Sequence, residues 1–168
     1  QCAQACRLPY ELVVDGAPDP RDPKLSASHF VRAALLPVSP AQEDEYFVKV
    51  TVVPPDEAGP GLLGVSDLCV LCNVAASNED RPGIPGLSAE FVTRLRQFVA
   101  DGGGLVVGCG DNVVPARYNA VLGSGGAKLL PFDLDDPAAT TAETPFKPAP
   151  ETAEAPGFLA RFREEVVS

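Results

Sequence analysis

An α/β fold with a largely parallel sheet is predicted by three features of this chain. Runs of β-branched and apolar residues alternate with amphipathic helical stretches. One of those runs, Leu68 to Val74, is apolar on both faces, as in the middle of a parallel sheet. Right-handed crossovers then bring the polar strand ends Asp15, Asn73 and Asp111 to one edge, where open α/β sheets bind ligands.

Taken in order, Pro9 to Asp15 is a first strand, ending at Gly16. Ala17 to Lys24 carries Pro18, Pro20 and Pro23, too many for regular structure. Ser26 or Ser28 caps a helix running to about Leu36, and Pro37 stops it. Phe30, Ala33, Ala34 and Leu36 form its apolar stripe, with His29 beside it. Tyr46 to Val53 is a second strand, closed by Pro54-Pro55, and Gly59 to Ser66 is a helical turn or a loop. After the third strand, Ser88 caps a helix whose Phe91, Val92, Leu95, Phe98 and Val99 share one face. Gly102 closes it, and Leu105 to Gly108 is the fourth strand. Pro115 opens a helix ending at Gly123, and Leu129 to Pro131 is expected as a short edge strand. After Pro131 the character changes: Asp133 to Pro156 is rich in Pro, Ala, Thr and acids, a linker or extended surface segment, with Phe158 to Val167 a short closing helix. The expected organisation is an N-terminal extension over 1–8, an α/β domain over 9–131 and an acidic tail over 132–168.

Composition narrows the function classes. A net charge of −10 argues against nucleic acid, because neutralising phosphates needs clustered Lys and Arg. No apolar run approaches the roughly 20 residues of a membrane span, so the chain itself is not expected to insert into a bilayer. Methionine is absent even at position 1, which is expected of a piece of a longer protein whose membrane anchor, if any, lies elsewhere. Cys69 and Cys72 have CxxC spacing but sit in a strand, where residues three apart point to opposite faces. They are therefore expected as buried small hydrophobes, not a metal pair. Cys2 and Cys6 could pair or bind a ligand, but are expected to belong to a frayed terminus. Unpaired cysteines lean toward a reducing compartment.

The residues that could carry chemistry cluster around Gly108-Cys109-Gly110-Asp111. A glycine-flanked thiol leaving a strand toward a helix is where a nucleophile sits, and such a thiol needs a base, usually histidine. The only histidine is His29, on the first helix. Cys109 is the one catalytic candidate, with Asp15 or Asp111 available to orient a water. Asp15, Asn73, Gly110 and Asp111 together form a candidate ligand site, and their oxygens are of the kind that holds Mg²⁺ or Ca²⁺. The same residue types are also common as caps and turn formers, and neither a cofactor nor a metal is expected. Asn119 is expected to bond loop backbone, with Tyr118 packed underneath.

Val13-Val-Asp-Gly16, Phe30-Val-Arg-Ala-Ala-Leu35, Asp67 to Val74, Phe98 to Val107, Gly110-Asp-Asn-Val113 and Tyr118-Asn119 form an ordered series. Over residues 10 to 131 it resembles a class I glutamine amidotransferase-like domain. The version it resembles occurs in large membrane proteins of planctomycete type, alongside Bat-like aerotolerance-regulator and von Willebrand factor A domains. The resemblance implies a flavodoxin-like three-layer sandwich, in a soluble module of a membrane-anchored parent protein, with the cytoplasmic side favoured. True amidotransferases place cysteine in a Gly-x-Cys-x-Gly elbow, followed downstream by a His-x-Glu pair. This chain has only part of the elbow and no histidine after position 29. The expectation is a non-catalytic module that docks onto other domains of its parent chain or onto a protein partner. A degenerate cysteine hydrolase and a small-ligand domain are the alternatives.

Overall fold

A computed structural model describes residues 8–136. Contacts divide the chain after Asp135 into two units, and the description concerns the first. Cys2, Cys6, the expected linker beyond Asp136 and the expected closing helix at 158–167 lie outside the described residues.

Four strands, β1 (Tyr10–Asp15), β2 (Lys49–Val53), β3 (Leu68–Cys72) and β4 (Gly104–Gly108), form one sheet in the order β2-β1-β3-β4. Every pairing is parallel, as the alternation of strands and helices predicted. Between and after them run α1 (His29–Leu35), α2 (Pro60–Leu63), α3 (Ala89–Ala100) and α4 (Pro115–Val121). β1 and β3 are central and almost wholly buried, which is why Leu-Val-Val and Cys-Val-Leu-Cys carry no polar alternation.

The sheet's two faces are unequally covered. On one, Leu12, Val14, Cys69 and Leu71 pack under Leu63 of α2, Phe91, Leu95 and Phe98 of α3, and Tyr118 of α4. Burying a side chain such as Phe91 or Leu95 stabilises the fold by about 2 kcal/mol each. α3 forms because its apolar residues recur at helical spacing and because the Ser88 hydroxyl accepts from the Phe91 N–H at 3.1 Å. On the other face, Val13, Val70 and Cys72 are covered by Ala27, Val31 and Leu35. CxxC spacing thus puts Cys69 and Cys72 on opposite faces, as expected, and neither is in a disulfide.

Several sequence expectations need correction. The residues that face the sheet here are Ala27, just before α1, and Val31 and Leu35 within it, at i, i+4 and i+8 and all half-buried, with Leu36 buried beneath the helix end. Phe30 is 79% exposed, and Ala33 and Ala34 face solvent. A seven-residue helix covers one narrow strip of sheet, so apolar residues off that strip stay outside. Neither serine caps α1 with its side chain: the Ser28 hydroxyl goes to Asp15, and that of Ser26 accepts from the Asp19 N–H at 2.9 Å. β2 begins at Lys49, because a 3₁₀ helix over Pro40–Glu45 runs into Tyr46, whose N–H bonds back to Glu43. Gly59 to Ser66 resolves into α2, a single turn opened by Pro60.

Leu129 to Pro131 forms no strand. The N–H groups of Leu129 and Leu130 bond the Leu122 carbonyl at the end of α4, which leaves β4 as the sheet's outer strand among the described residues. Packing also continues past the expected boundary at 131. Asn119 brackets Leu134, its Nδ2 donating to the Leu134 carbonyl at 2.8 Å and its Oδ1 accepting from the Leu134 N–H at 2.7 Å. Asp133 takes bonds from the Ser124 N–H and hydroxyl, which hold its carboxyl below the usual range.

Candidate functional site

The carboxyl ends of β1, β3 and β4 meet where the topology places them, and the loops leaving them are tied to one another. Asp15, only 2% exposed, ends β1. Its Oδ1 accepts from the Ala17 N–H at 3.0 Å, and its Oδ2 from the Ser28 N–H at 3.2 Å and the Ser28 hydroxyl at 2.5 Å. The carboxylate therefore folds the proline-rich loop back onto the sheet and sets where α1 starts.

Gly16 follows, its N–H donating to the Cys72 carbonyl at 2.8 Å. A Cβ built on Gly16 would stand 2.0 Å from the Asn73 carbonyl oxygen, so the two strand ends can approach this closely only with glycine there. Asn73 itself has φ of 52°, a left-handed conformation that asparagine tolerates better than most residues. Its N–H donates to the Gly108 carbonyl, extending the ladder, while its Oδ1 accepts from the Asn112 N–H at 2.7 Å. Gly110 lies against that side chain: a Cβ there would fall 2.5 Å from Asn73 Oδ1.

Asn112 joins the three loops. It is 7% exposed, its backbone N–H is held by Asn73, and its Nδ2 donates to the Gly16 carbonyl at 2.8 Å. Sequence reasoning passed over it. The available signal was a third polar residue after Gly110-Asp111, in a turn with strand ends on either side to supply backbone acceptors. Ser28, read only as a possible cap, was likewise missed as the partner of Asp15.

Beside this knot lies a shallow cleft of about 340 Å³, with Cys109, Asn73, Gly110 and Asp111 on one side and Ala27, Val31 and Cys72 on another. Four sequence-predicted residues are thus gathered here, while the Asp15 carboxylate is turned into its own loop. Asp111 is exposed and makes no hydrogen bond or ion pair among the described residues. Cys109 is an exposed free thiol. His29 does not line the cleft: its half-buried ring meets the edge of Phe30, with centroids 5.0 Å apart. Among the described residues, no group of three His, Cys, Asp or Glu side chains is arranged to hold a metal. The carboxylate oxygens of Asp15 and the Oδ1 of Asn73 are engaged by loop N–H and hydroxyl groups.

The other two described thiols differ from Cys109. Burial pushes Cys69 up to about 12, with Cys72 adding to it. Cys72 is pushed up to about 11 by burial and then by the Asp15 charge. Both are neutral packing groups at physiological pH. Tyr118 is fully buried and donates to the Val74 carbonyl at 2.6 Å. Burial, then nearby Cys109 and Asp80, raises its phenol well above the ordinary range. Tyr118 thus packs under the site as expected, and Asn119 bonds backbone, but that of Leu134.

No family profile, no curated protein and no solved structure matches this chain. Among the described residues, no helix is long and apolar enough to cross a membrane. An all-parallel α/β domain with a cross-tied carboxyl edge is the class that fold and site define.

Proposed function

We propose that this domain is a non-catalytic, glutamine amidotransferase-like interaction module of a larger, membrane-anchored bacterial protein, docking onto neighbouring domains of its parent or onto a protein partner. The family part of the reading rests on the ordered motif series of residues 10 to 131. The functional part rests on one observation above all: three polar residues at the carboxyl edge, Asp15, Asn73 and Asn112, are spent on fixing the loops themselves. Asp15 holds Ser28 and Ala17, and Asn73 holds Asn112, which holds Gly16. Fully satisfied hydrogen bonds of this kind hold the three loops in one shape, as a docking scaffold needs.

One observation favours a second reading. Cys109 and Asp111 line the same cleft, the thiol and carboxylate on which a degenerate cysteine hydrolase would draw. Ammonia release from glutamine by the full chain separates the two. The expected result is no release above a protein-free blank, for wild type and Cys109→Ala alike. Sustained release that disappears in Cys109→Ala would overturn the interaction reading.

A further inference from the structure

Parallel sheets are ordinarily buried on both faces. Here the face of Val13, Val70 and Cys72 has α1 as its one covering α-helix among the described residues. α1 is the crossover between β1 and β2, so it serves that side of the sheet and leaves the β4 side bare. Strand residues in register share a face, which puts Gly104, Val106 and Gly108 beside Leu68, Val70 and Cys72. The two glycines offer no side chain, and Val106 between them is 50% exposed. A groove results, with β4 and Leu68 as floor and α1 as wall. A Cβ on Gly108 would meet only the Leu71 carbonyl oxygen, at an ordinary 3.6 Å, so the fold itself does not call for glycine there.

A carboxylate stands at each end of this groove. At the carboxyl end it runs into the cleft of Cys109 and Asp111, which Val31, Cys72 and Gly108 also line. Asp111 there is exposed and makes no hydrogen bond or ion pair among the described residues. At the amino end is Glu11, on the same face as Val13 and in register with Leu68. Its Oε2 is buried without a hydrogen-bond partner while the residue stays partly exposed, an arrangement that costs stability until a donor arrives. Between Leu68 and Cys72 the strand rises about 13 Å, the length of about two and a half helical turns.

We propose that this groove takes an amphipathic helix of a partner protein, with its apolar stripe over Val106 and Leu68 and a Lys or Arg at each end of the stripe, one for Glu11 and one for Asp111. A helix is the element that covers the other half of this face and completes the layer over a parallel sheet. The basic ends follow from the two carboxylates that the chain leaves unpaired, in a protein at −10. A second copy fits poorly. Two such grooves face to face bring carboxylates against carboxylates, and the outer side of α1, with Phe30, offers only Arg32, already held by Glu43 at 2.6 Å. The inference gives the interaction module proposed above a surface and a partner chemistry, and rests on that reading.

The test uses the full chain and a stapled helical peptide of about four turns, with a stripe of leucine and alanine and a lysine at either end of it, about two and a half turns apart. Affinity is measured by fluorescence anisotropy, and the Val106 methyl groups are observed by NMR in the presence of a soluble gadolinium chelate. The chelate should broaden those methyls in the free chain, and the peptide should shelter them. The same peptide with glutamates in place of its lysines should bind at least about tenfold more weakly. Val106→Lys, at an exposed position, should fold normally and weaken binding by about tenfold or more. Glu11→Gln with Asp111→Asn should bring the affinities of the two peptides to within about threefold of each other. Equal affinity of the wild-type chain for both peptides, binding that leaves Val106 open to the chelate, or no binding at all would overturn the proposal. So would Val106 methyls already sheltered in the free chain, whether by the chain itself or by a second copy seen as a dimer. Ammonia release is read separately, so the groove proposal can fail while the non-catalytic reading stands.

Discussion

The two faces of the sheet contain similar strand residues yet differ in how they are used. Under α2, α3 and α4 the face of Leu12, Val14, Cys69 and Leu71 belongs to a continuous core reaching Phe91, Leu95, Phe98, Tyr118 and Leu122. Under α1 the opposite face buries only Val13, Val70 and Cys72, and leaves Val106 half exposed. The cleft with Cys109 and Asp111 opens on the thin side, against Val31 of α1 and Ala27 just before it. Stability is therefore concentrated on one face and accessible surface on the other, a division expected where a fold keeps a region free for contact.

Large-to-small substitutions should show the contrast most clearly. Phe91→Ala should cost about 4 kcal/mol, because a fully buried ring leaves a cavity that the packed face cannot close. Val31→Ala on α1, where the side chain is only half-buried, should cost about 1 kcal/mol. Urea denaturation midpoints at equal slope would check both. Equal losses would break the comparison and show that α1 is as tightly packed as α3.

A similar contrast applies within the site. Asp15→Ala removes the acceptor of three hydrogen bonds, one from a buried hydroxyl, and should cost about 3 kcal/mol. Asp111→Ala, exposed and without a hydrogen bond among the described residues, should change stability by less than about 0.5 kcal/mol. Thermal melts of both variants would sharpen the assignment of Asp15 as scaffold and Asp111 as surface.

A smaller effect comes from Glu11, on the α1 side of the sheet. Its Oε2 is buried without a hydrogen-bond partner, and burial, then the nearby Asp67 charge, raises its carboxyl above the ordinary 4.5. The folded chain holds this proton more tightly than the unfolded one. Its contribution is thus fully present below the ordinary glutamate value and lost as pH rises through the raised folded value. Glu11→Gln should be the more stable protein at neutral pH, with the difference shrinking toward about pH 4. Denaturant midpoints of the two proteins across that range would measure it, and a constant difference would show that Glu11 titrates alike in both states.

Much of the fold was legible because long periodic signals survive tertiary context. α3 follows its five-residue stripe and Ser88 cap, and β3 follows its doubly apolar run. Short elements misled: the sequence suggested Phe30, Ala33, Ala34 and Leu36 as the stripe of the first helix, and only the position of the sheet selects Val31 and Leu35 over Phe30 and Ala34. Leu129-Leu130 is apolar enough for a strand, but its backbone finds acceptors at the end of α4 first. At the site, the topology placed Asp15, Asn73 and Asp111 at one edge, where Cys109 also lies. Their hydrogen bonds could not be read, because Asn112 and Ser28 act through contacts spanning dozens of residues or across a loop. Asp15 was legible as a strand end, not as a group already occupied.

The central claim, that Cys109 is a surface thiol on a scaffold and not a nucleophile, is tested most directly by comparing its alkylation rates. Iodoacetamide labelling read by peptide mass spectrometry would follow Cys109 in the native chain and in the same chain unfolded in urea. A scaffold thiol should react no faster folded than unfolded, while Cys69 and Cys72 stay unlabelled until the fold opens. Labelling of native Cys109 about tenfold or more above its unfolded rate would reveal an activating environment and contradict the account.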